Sequence, residues 1–291
     1  MSSDSAVARH PSKLKVYMTF TKFRLSALVV LSALSGYLFA GGNDSVIVTY
    51  LMLGGLLVTA ASNGTNQIIE RKLDIKMKRT MMRPLPQGQM SLTEAYAVVV
   101  LFLAVGLVLL YMVNLYSALL GLAAYVSYAF IYTPLKPITP WAVFVGAFPG
   151  AIPPMLGYIA QTNDFDLQAG VLFFVQFCWQ FPHFWAIAWV VHEDYQAGGF
   201  SLLPSKTGRT KESAFPIAVY SLLLIGFSLL PWILGWTGVV SLIVAGTLSV
   251  LFFWLSYRLY ITCEVKDAKR LMFASFIYLP IIQFLYVFDK F

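Results

Sequence analysis

The sequence alternates long apolar stretches with short connectors that carry nearly all of its charge. A helix that crosses the hydrocarbon core of a bilayer needs about 20 apolar residues. Each uncharged stretch of that size therefore predicts one transmembrane helix. There are seven, and they cover residues 25–42, 46–65, 141–160, 167–191, 214–234, 237–257 and 271–288.

A further uncharged stretch, from Ala95 to Leu135, is about twice as long as one crossing requires. Irregular backbone exposed to lipid is not tolerated in the hydrocarbon core, so this stretch is predicted to form a helical hairpin that turns near Asn114. The pattern predicts an all-α integral membrane protein, with nine transmembrane helices that we expect to surround a central cavity. Residues 1–15 are predicted to form a cytoplasmic tail, and residues 16–291 a single transmembrane domain.

Composition and charge support this prediction and orient the chain. Hydrophobic residues make up 59% and charged residues 11% of the sequence, which excludes an ordinary soluble domain. With nine helices, all of the 20 lysines and arginines except Lys290 lie in the tail or in even-numbered connectors. Such connectors stay in the cytoplasm. We therefore expect a cytoplasmic N-terminus, a C-terminus on the opposite side, a location in a membrane and no nucleic-acid partner.

The connector after the second predicted helix carries acids in a regular pattern. Asn66, Glu70, Asp74 and Lys78 follow one another at four-residue steps, which in a helix places them along one face. Mg²⁺ prefers oxygen ligands completed by water and substrate phosphates. The face therefore favours a magnesium–diphosphate site, with phosphate contacts from nearby Lys72, Lys78, Arg79 and Arg83. The alternative is a solvated helix whose acids pair with neighbouring cations.

A second acidic cluster follows the sixth predicted helix. His192, Glu193, Asp194 and Tyr195 reach the same predicted side of the membrane, before a Gly198–Gly199 pair that ends the helix. Two acidic helix ends on one side suit metal ions bound across a diphosphate. The alternative is a polar helix cap and loop.

Within the sixth predicted helix, Gln176, Gln180 and His183 form a polar strip on an otherwise apolar segment. Such a strip is costly against lipid, so it is expected to line a cavity or a neighbouring helix. Three functional roles are open to His183: a hydrogen bond, a contact with acceptor carboxylates, or ligation of a heme iron. A hydrogen-bonded packing role is the alternative to all three.

At these motifs the chain resembles the UbiA superfamily of intramembrane prenyltransferases, whose members have nine helices and acidic motifs after helices 2 and 6. It looks most like the branch that transfers a farnesyl group to a vinyl carbon of protoheme IX, giving heme O for heme–copper oxidases. The similarity also covers Thr21-Lys22-x-Arg24, the segment Tyr132–Lys136, and the segment 145–158. Quinone-type relatives usually carry aspartate where this chain has Glu70, Val191 and Tyr195, which argues against a hydroxybenzoate acceptor.

The resemblance implies catalytic, metal and substrate-binding residues. Farnesyl diphosphate would be bound through Mg²⁺ at Asn66, Glu70, Asp74 and Asp194, with Glu193 sharing the metal role. Phosphate and substrate contacts would come from Arg24, Lys78, Arg83, Lys136, Gln180 and His183. The implied partners are farnesyl diphosphate, protoheme IX, membrane lipid, and a downstream heme A synthase or oxidase assembly protein.

Two other functions fit the same residues. The diphosphate machinery does not identify the acceptor, so an aromatic, quinone or chlorin acceptor is an alternative. A heme carrier or transporter is the alternative of a different class, with Gln176 and His183 lining a permeation path. Transporters place charged sites near the membrane midplane, whereas the acids of this chain lie outside the predicted helices.

Overall fold

The computed structural model describes residues 11–291, so residues 1–10 of the predicted tail, including Arg9, lie outside the described residues. Helices dominate the described part. In chain order they are α1 (Lys13–Phe20), α2 (Phe23–Phe39), α3 (Ser45–Asp74), α4 (Leu92–Val113), α5 (Leu115–Leu135), α6 (Ala142–Thr162), α7 (Leu167–Val190), α8 (His192–Ala197), α9 (Lys211–Ile233), α10 (Val239–Thr262) and α11 (Val265–Phe288).

Nine membrane crossings fit these helices. Eight of them, α3 to α7 and α9 to α11, are individually long and apolar enough to span a bilayer. The helices α1 and α2 meet at a bend of 51° and, taken together, are long and apolar enough for a ninth span. The bend falls at Lys22, whose φ of 47° is a left-handed backbone conformation that costs free energy for a residue with a side chain. The all-α membrane fold predicted from the sequence is confirmed.

The predicted hairpin also turns where the sequence indicates. Asn114 separates α4 from α5, and its side-chain oxygen accepts a hydrogen bond from the backbone N–H of Ser117 at 2.7 Å. Its side-chain nitrogen donates to the carbonyl of Ile159 on α6 at 2.9 Å. One carboxamide thus caps the second helix of the hairpin and attaches the turn to the neighbouring helix.

The start of α2 and the last residues after α11 lie at opposite ends of the bundle. The start of α2 contacts α3 near its C-terminal end, where Lys22 approaches Asn66. At the other end, Lys290 donates a hydrogen bond to the carbonyl of Phe39, the last residue of α2. This arrangement agrees with an odd number of crossings. The compartment that each end faces stays a prediction.

A cavity of about 700 Å³ lies between the helices, lined by parts of α2, α3, α5, α6, α7 and α11. This confirms the expected central cavity. Its shape depends on close packing of α2 against α6. A Cβ atom added at Gly36 would meet the carbonyl of Pro154, and one added at Gly157 would meet the carbonyl of Ala33. The two backbones approach closely because neither glycine has a side chain.

Candidate active site

The acids of α3 lie buried on one helix face. Asn66, Glu70 and Asp74 are 0%, 4% and 0% exposed, at the four-residue spacing that the sequence predicts. The prediction that Lys78 continues this face is wrong, because α3 ends at Asp74. The chain then turns, and the hydroxyl of Thr80 donates to the carbonyl of Asp74 at 2.9 Å. Lys78 is exposed beyond that turn.

Each polar group on this face has a basic partner. Lys136 Nζ donates to Glu70 at 2.8 Å. Arg83 donates to both oxygens of Asp74, at 2.7 and 2.8 Å. Lys22 Nζ lies 3.5 Å from the side-chain oxygen of Asn66. The set combines three oxygen-bearing groups with three basic side chains from separate segments of the chain.

The C-terminal part of α5 positions Lys136. The helix widens to a π-helical turn over Ser127–Tyr132, a departure from α geometry that is frequent at functional sites. After it, the hydroxyl of Thr133 accepts a hydrogen bond from Asn66 at 3.3 Å, and Lys136 Nζ lies 4.6 Å from the centre of the Tyr132 ring. Burial lowers the pKa of Lys136, but contact with Tyr132 and Glu70 outweighs burial and raises that pKa overall. Lys136 therefore stays charged inside the site.

The second cluster contacts the first through Asp194. Its carboxylate accepts hydrogen bonds from the backbone N–H groups of Lys78 at 2.7 Å and Arg79 at 3.3 Å. The short α8 is thereby attached to the turn that follows α3, as expected if both clusters lie on one side of the membrane. We call this end of the bundle, with Glu70, Asp74 and Asp194, the acidic end.

Glu193 points to a different partner. Its side chain is 72% exposed and forms a two-fold ion pair with Arg209, one contact of which is 2.8 Å long. The hydrogen bonds from Arg209 lower the pKa of Glu193. Of the two acids predicted here, only Asp194 contacts the connector after α3.

Two basic residues at the start of α2 differ from the prediction. Lys22, which was not among the predicted site residues, lies in the site, and Arg24, which was predicted to contact phosphate, does not. Arg24 is exposed on the first turn of α2, whereas Lys22, two residues earlier, reaches Asn66. Lys22 belongs to the same Thr21-Lys22-x-Arg24 motif as Arg24, and this motif was the feature of the sequence that could have indicated a role for Lys22. Sequence spacing does not reveal that the chain bends at Lys22 and directs that side chain inward.

The chemistry of these donors fits Mg²⁺. Within residues 11–291, no three His, Cys, Asp or Glu side chains cluster closely enough to hold a metal ion by themselves. Magnesium bound with a substrate diphosphate needs only one or two protein carboxylates, with phosphate and water completing its shell. The Asn66, Glu70 and Asp74 oxygens on one helix face meet that requirement.

The polar strip of α7 lines the cavity, as predicted. Gln176 donates to the carbonyl of Gly150 at 2.6 Å and accepts from Gln283 at 2.7 Å. Gln180 donates to the carbonyl of Ala147 at 3.0 Å. These bonds satisfy the amides against α6 and α11, while the remaining wall of the cavity is mostly apolar. The cavity therefore suits a large hydrophobic ligand with few polar groups.

Comparison with known proteins assigns the family. The model of the UbiA prenyltransferase family matches residues 29–279. A protein of Cytophaga hutchinsonii named protoheme IX farnesyltransferase is 46% identical, and the match covers 96% of this chain and 99% of that protein. A protein of Christiangramia forsetii with the same name is 45% identical over 96% and 95% of the two chains.

Solved structures share the fold at lower identity. One solved structure, from work on a digeranylgeranylglyceryl phosphate synthase, has a TM-score of 0.80 and 21% identity to this chain. The match covers 95% of this chain and 98% of the other. A UbiA homolog from Archaeoglobus fulgidus, solved with GPP and Mg²⁺, has a TM-score of 0.67 and 15% identity, covering 94% and 99%. The family model matches most of the chain, and two relatives with at least 45% identity match it over nearly their full length. The chain therefore belongs to the UbiA prenyltransferase family.

Proposed function

We propose that this chain transfers a farnesyl group from farnesyl diphosphate to a vinyl group of protoheme IX, giving heme O. The observation that carries the proposal is the match of 46% identity, over nearly the full length of both chains, to a protein named protoheme IX farnesyltransferase. We place the reaction in the bacterial cytoplasmic membrane. The product would pass to a heme A synthase or an oxidase assembly protein for heme–copper oxidase biogenesis.

The diphosphate site is formed at the acidic end. Lys22, Arg83 and Lys136 already lie among the acids and supply contacts for phosphate oxygens. We assign the exposed Arg24 and Lys78 to phosphate contacts at the mouth of the site. Bound Mg²⁺ would neutralise the diphosphate and draw electron density towards the leaving group. Its proposed protein ligands are Asn66, Glu70, Asp74 and Asp194, with Glu193 sharing that role.

The transfer itself needs no protein nucleophile. The C1–O bond of farnesyl diphosphate breaks and its electron pair leaves with the diphosphate, which the three cations stabilise. The allylic cation is attacked by the vinyl double bond of the heme, forming a carbon–carbon bond. Water then adds to the resulting cation and loses a proton, which leaves a hydroxyethylfarnesyl side chain. The apolar cavity wall excludes other water from the allylic cation until the new bond has formed.

The test measures which acceptor is used. Membranes containing the chain are incubated with farnesyl diphosphate, Mg²⁺ and either protoheme IX or an aromatic acid, and the products are identified by mass. Heme O is the expected product with protoheme, and unmodified aromatic acid is expected in the other reaction. Prenylation of the aromatic acid alone, or magnesium-independent heme movement without any product, would contradict the proposal.

A further inference from the structure

A stacked ring pair on α7 borders the cavity. Trp179 and His183 have ring centroids 4.4 Å apart and planes inclined by 16°. One residue of α11 holds both rings, because the indole Nε1 donates to the carbonyl of Ser275 at 3.1 Å and His183 Nδ1 lies 2.7 Å from the Ser275 hydroxyl. With Ser275 fully buried, the pair forms a fixed part of the cavity wall.

The hydrogen bonds of Ser275 assign the tautomer of His183. A serine hydroxyl has a single proton to donate. Ser275 donates it to the carbonyl of Met272 at 2.6 Å, so its oxygen acts as the acceptor towards the imidazole. His183 Nδ1 therefore carries the ring proton, and Nε2 keeps an in-plane lone pair.

The side-chain hydrogen bond of His183 within residues 11–291 uses Nδ1, and Nε2 is not among the buried polar atoms that lack a partner, so Nε2 is accessible from the cavity. It belongs to a side chain that is only 7% exposed and borders the cavity. This lone pair is therefore open to a ligand that enters the mostly apolar cavity. A neutral imidazole that donates through one nitrogen and leaves the other free has the arrangement of metal-ligating histidines.

We infer that His183 binds the iron of the heme acceptor through Nε2, and that Ser275 is the positioning residue that holds the ring in the competent tautomer. This inference rests on the proposed function, which supplies an iron porphyrin as the acceptor. His183 lies seven residues before the end of α7, about 10 Å from its terminus at 1.5 Å per residue. The iron is thereby held in the apolar part of the cavity, and ligation restrains the macrocycle whose vinyl group must meet the allylic carbon.

The experiment uses the purified full-length protein with heme B and, separately, metal-free protoporphyrin IX. Wild type is expected to give the absorption and electron paramagnetic resonance spectra of histidine-ligated heme and to bind heme more tightly than the metal-free porphyrin. His183→Ala and His183→Gln are expected to lose the histidine-ligated spectrum and the preference for iron, while keeping affinity for the metal-free porphyrin. Added imidazole should restore the spectrum of His183→Ala.

Two further variants separate ligation from structural effects. Ser275→Ala is expected to weaken heme binding roughly tenfold, as loss of the partner that orients a metal ligand does, without weakening binding of the metal-free porphyrin. His192→Ala is the matched control, because it removes an imidazole from α8 that does not line the cavity. Its heme spectrum should equal that of wild type.

An unchanged heme spectrum in both His183 variants would overturn the inference, and so would a wild-type spectrum without a histidine ligand. Farnesyl transfer by wild type is measured in parallel. If farnesyl is transferred to heme but the heme spectrum does not depend on His183, the ligand assignment is wrong and the proposed function stands. A His183-dependent spectrum without farnesyl transfer removes the proposed function and leaves the ligand assignment.

Discussion

Buried charges at the acidic end are arranged as matched pairs. Glu70 and Asp74 are nearly inaccessible, and each contacts a cation from another part of the chain, Lys136 or Arg83. Removing such pairs from water costs several kcal/mol per ion, so a buried pair is weak evidence for stability. A role for both the acid and the cation of each pair in ligand binding would account for this free-energy cost. Cations that neutralise acids in the free protein are already in place to neutralise a diphosphate.

The first prediction tests Glu70 by an isosteric change. Glu70→Gln keeps the size of the side chain but removes the charge that is proposed to bind Mg²⁺ and that pairs with Lys136. Heme O formation is expected to fall roughly 100-fold or more, as when a charge-stabilising group is lost from an active site. The rate is measured in membranes with matched protein amounts and over a range of Mg²⁺ concentrations.

Glu94→Gln is the control for that prediction. Glu94 also pairs with a lysine, Lys13 at 2.9 Å, and accepts from Tyr17, but it lies on the first turn of α4 outside the proposed site. Its rate should stay within about twofold of wild type, in line with the small contribution of exposed pairs. Equal losses in the two variants would remove the special role of Glu70.

The second prediction separates the neighbouring acids of α8. Asp194→Asn leaves one side-chain oxygen to replace the two that accept from the amides of Lys78 and Arg79. We expect a rise in the KM for farnesyl diphosphate of about tenfold, because each lost contact of a charged acceptor is worth about 1.5–3 kcal/mol. Glu193→Gln, which alters an exposed pair with Arg209, is expected to change that KM less. A larger effect at Glu193 would reverse the assignment.

At the scale of helices, the cavity depends on how closely α2 and α6 approach. Gly36 and Gly157 each lie against a backbone carbonyl of the opposite helix. Helices in lipid associate through such close packing, since lipid supplies no hydrophobic force that drives them together. The α2–α6 contact lies beside the cavity, which both helices line. A change at this contact should therefore affect ligand binding as well as stability.

The third prediction widens that contact. In Gly157→Ala the added methyl group would meet the carbonyl of Ala33, so α2 and α6 must separate. Overpacking of this kind costs about 1–3 kcal/mol. We expect a lower midpoint of thermal unfolding in detergent, measured by the loss of monodisperse protein on size exclusion. Gly170→Ala on α7 is the control, because the added Cβ has nothing within 4 Å and should not lower the midpoint.

At the scale of the whole molecule, the hydrophobic pattern predicted nearly all of the architecture. Helix number, the hairpin at Asn114 and the central cavity follow from lengths of uncharged sequence and from one polar strip. The stacked acids of α3 were also predictable, because a four-residue step needs only a helix to be continuous. Lys78 was misplaced because the sequence does not show that α3 ends at Asp74.

Features that depend on irregular backbone escaped prediction. The left-handed conformation of Lys22 and the π-helical turn before Thr133 each redirect a side chain into the site, and hydrophobic periodicity carries no signal for either. The contact between Ser275 and His183 joins residues 92 positions apart, so only the folded chain reveals it. Sequence thus predicted which residues were chemically suitable, whereas the structure decided which of them meet.

The orientation of the bundle gives the fourth prediction. Cationic connectors predict that the acidic end faces the cytoplasm. Labelling of single cysteines at the two ends of the bundle tests this orientation.

Single cysteines are introduced as Lys266→Cys, just inside the start of α11, and Gln161→Cys, near the end of α6. The chain that carries them has Cys178 and Cys263 replaced by serine. Both positions are exposed, so a membrane-impermeant maleimide reports only on their side of the membrane. In intact spheroplasts Gln161→Cys should be labelled and Lys266→Cys protected until the cells are lysed. The reverse pattern would place diphosphate chemistry on the outer side and contradict the orientation. Labelling of both would contradict the three crossings, α7, α9 and α10, that separate these two positions.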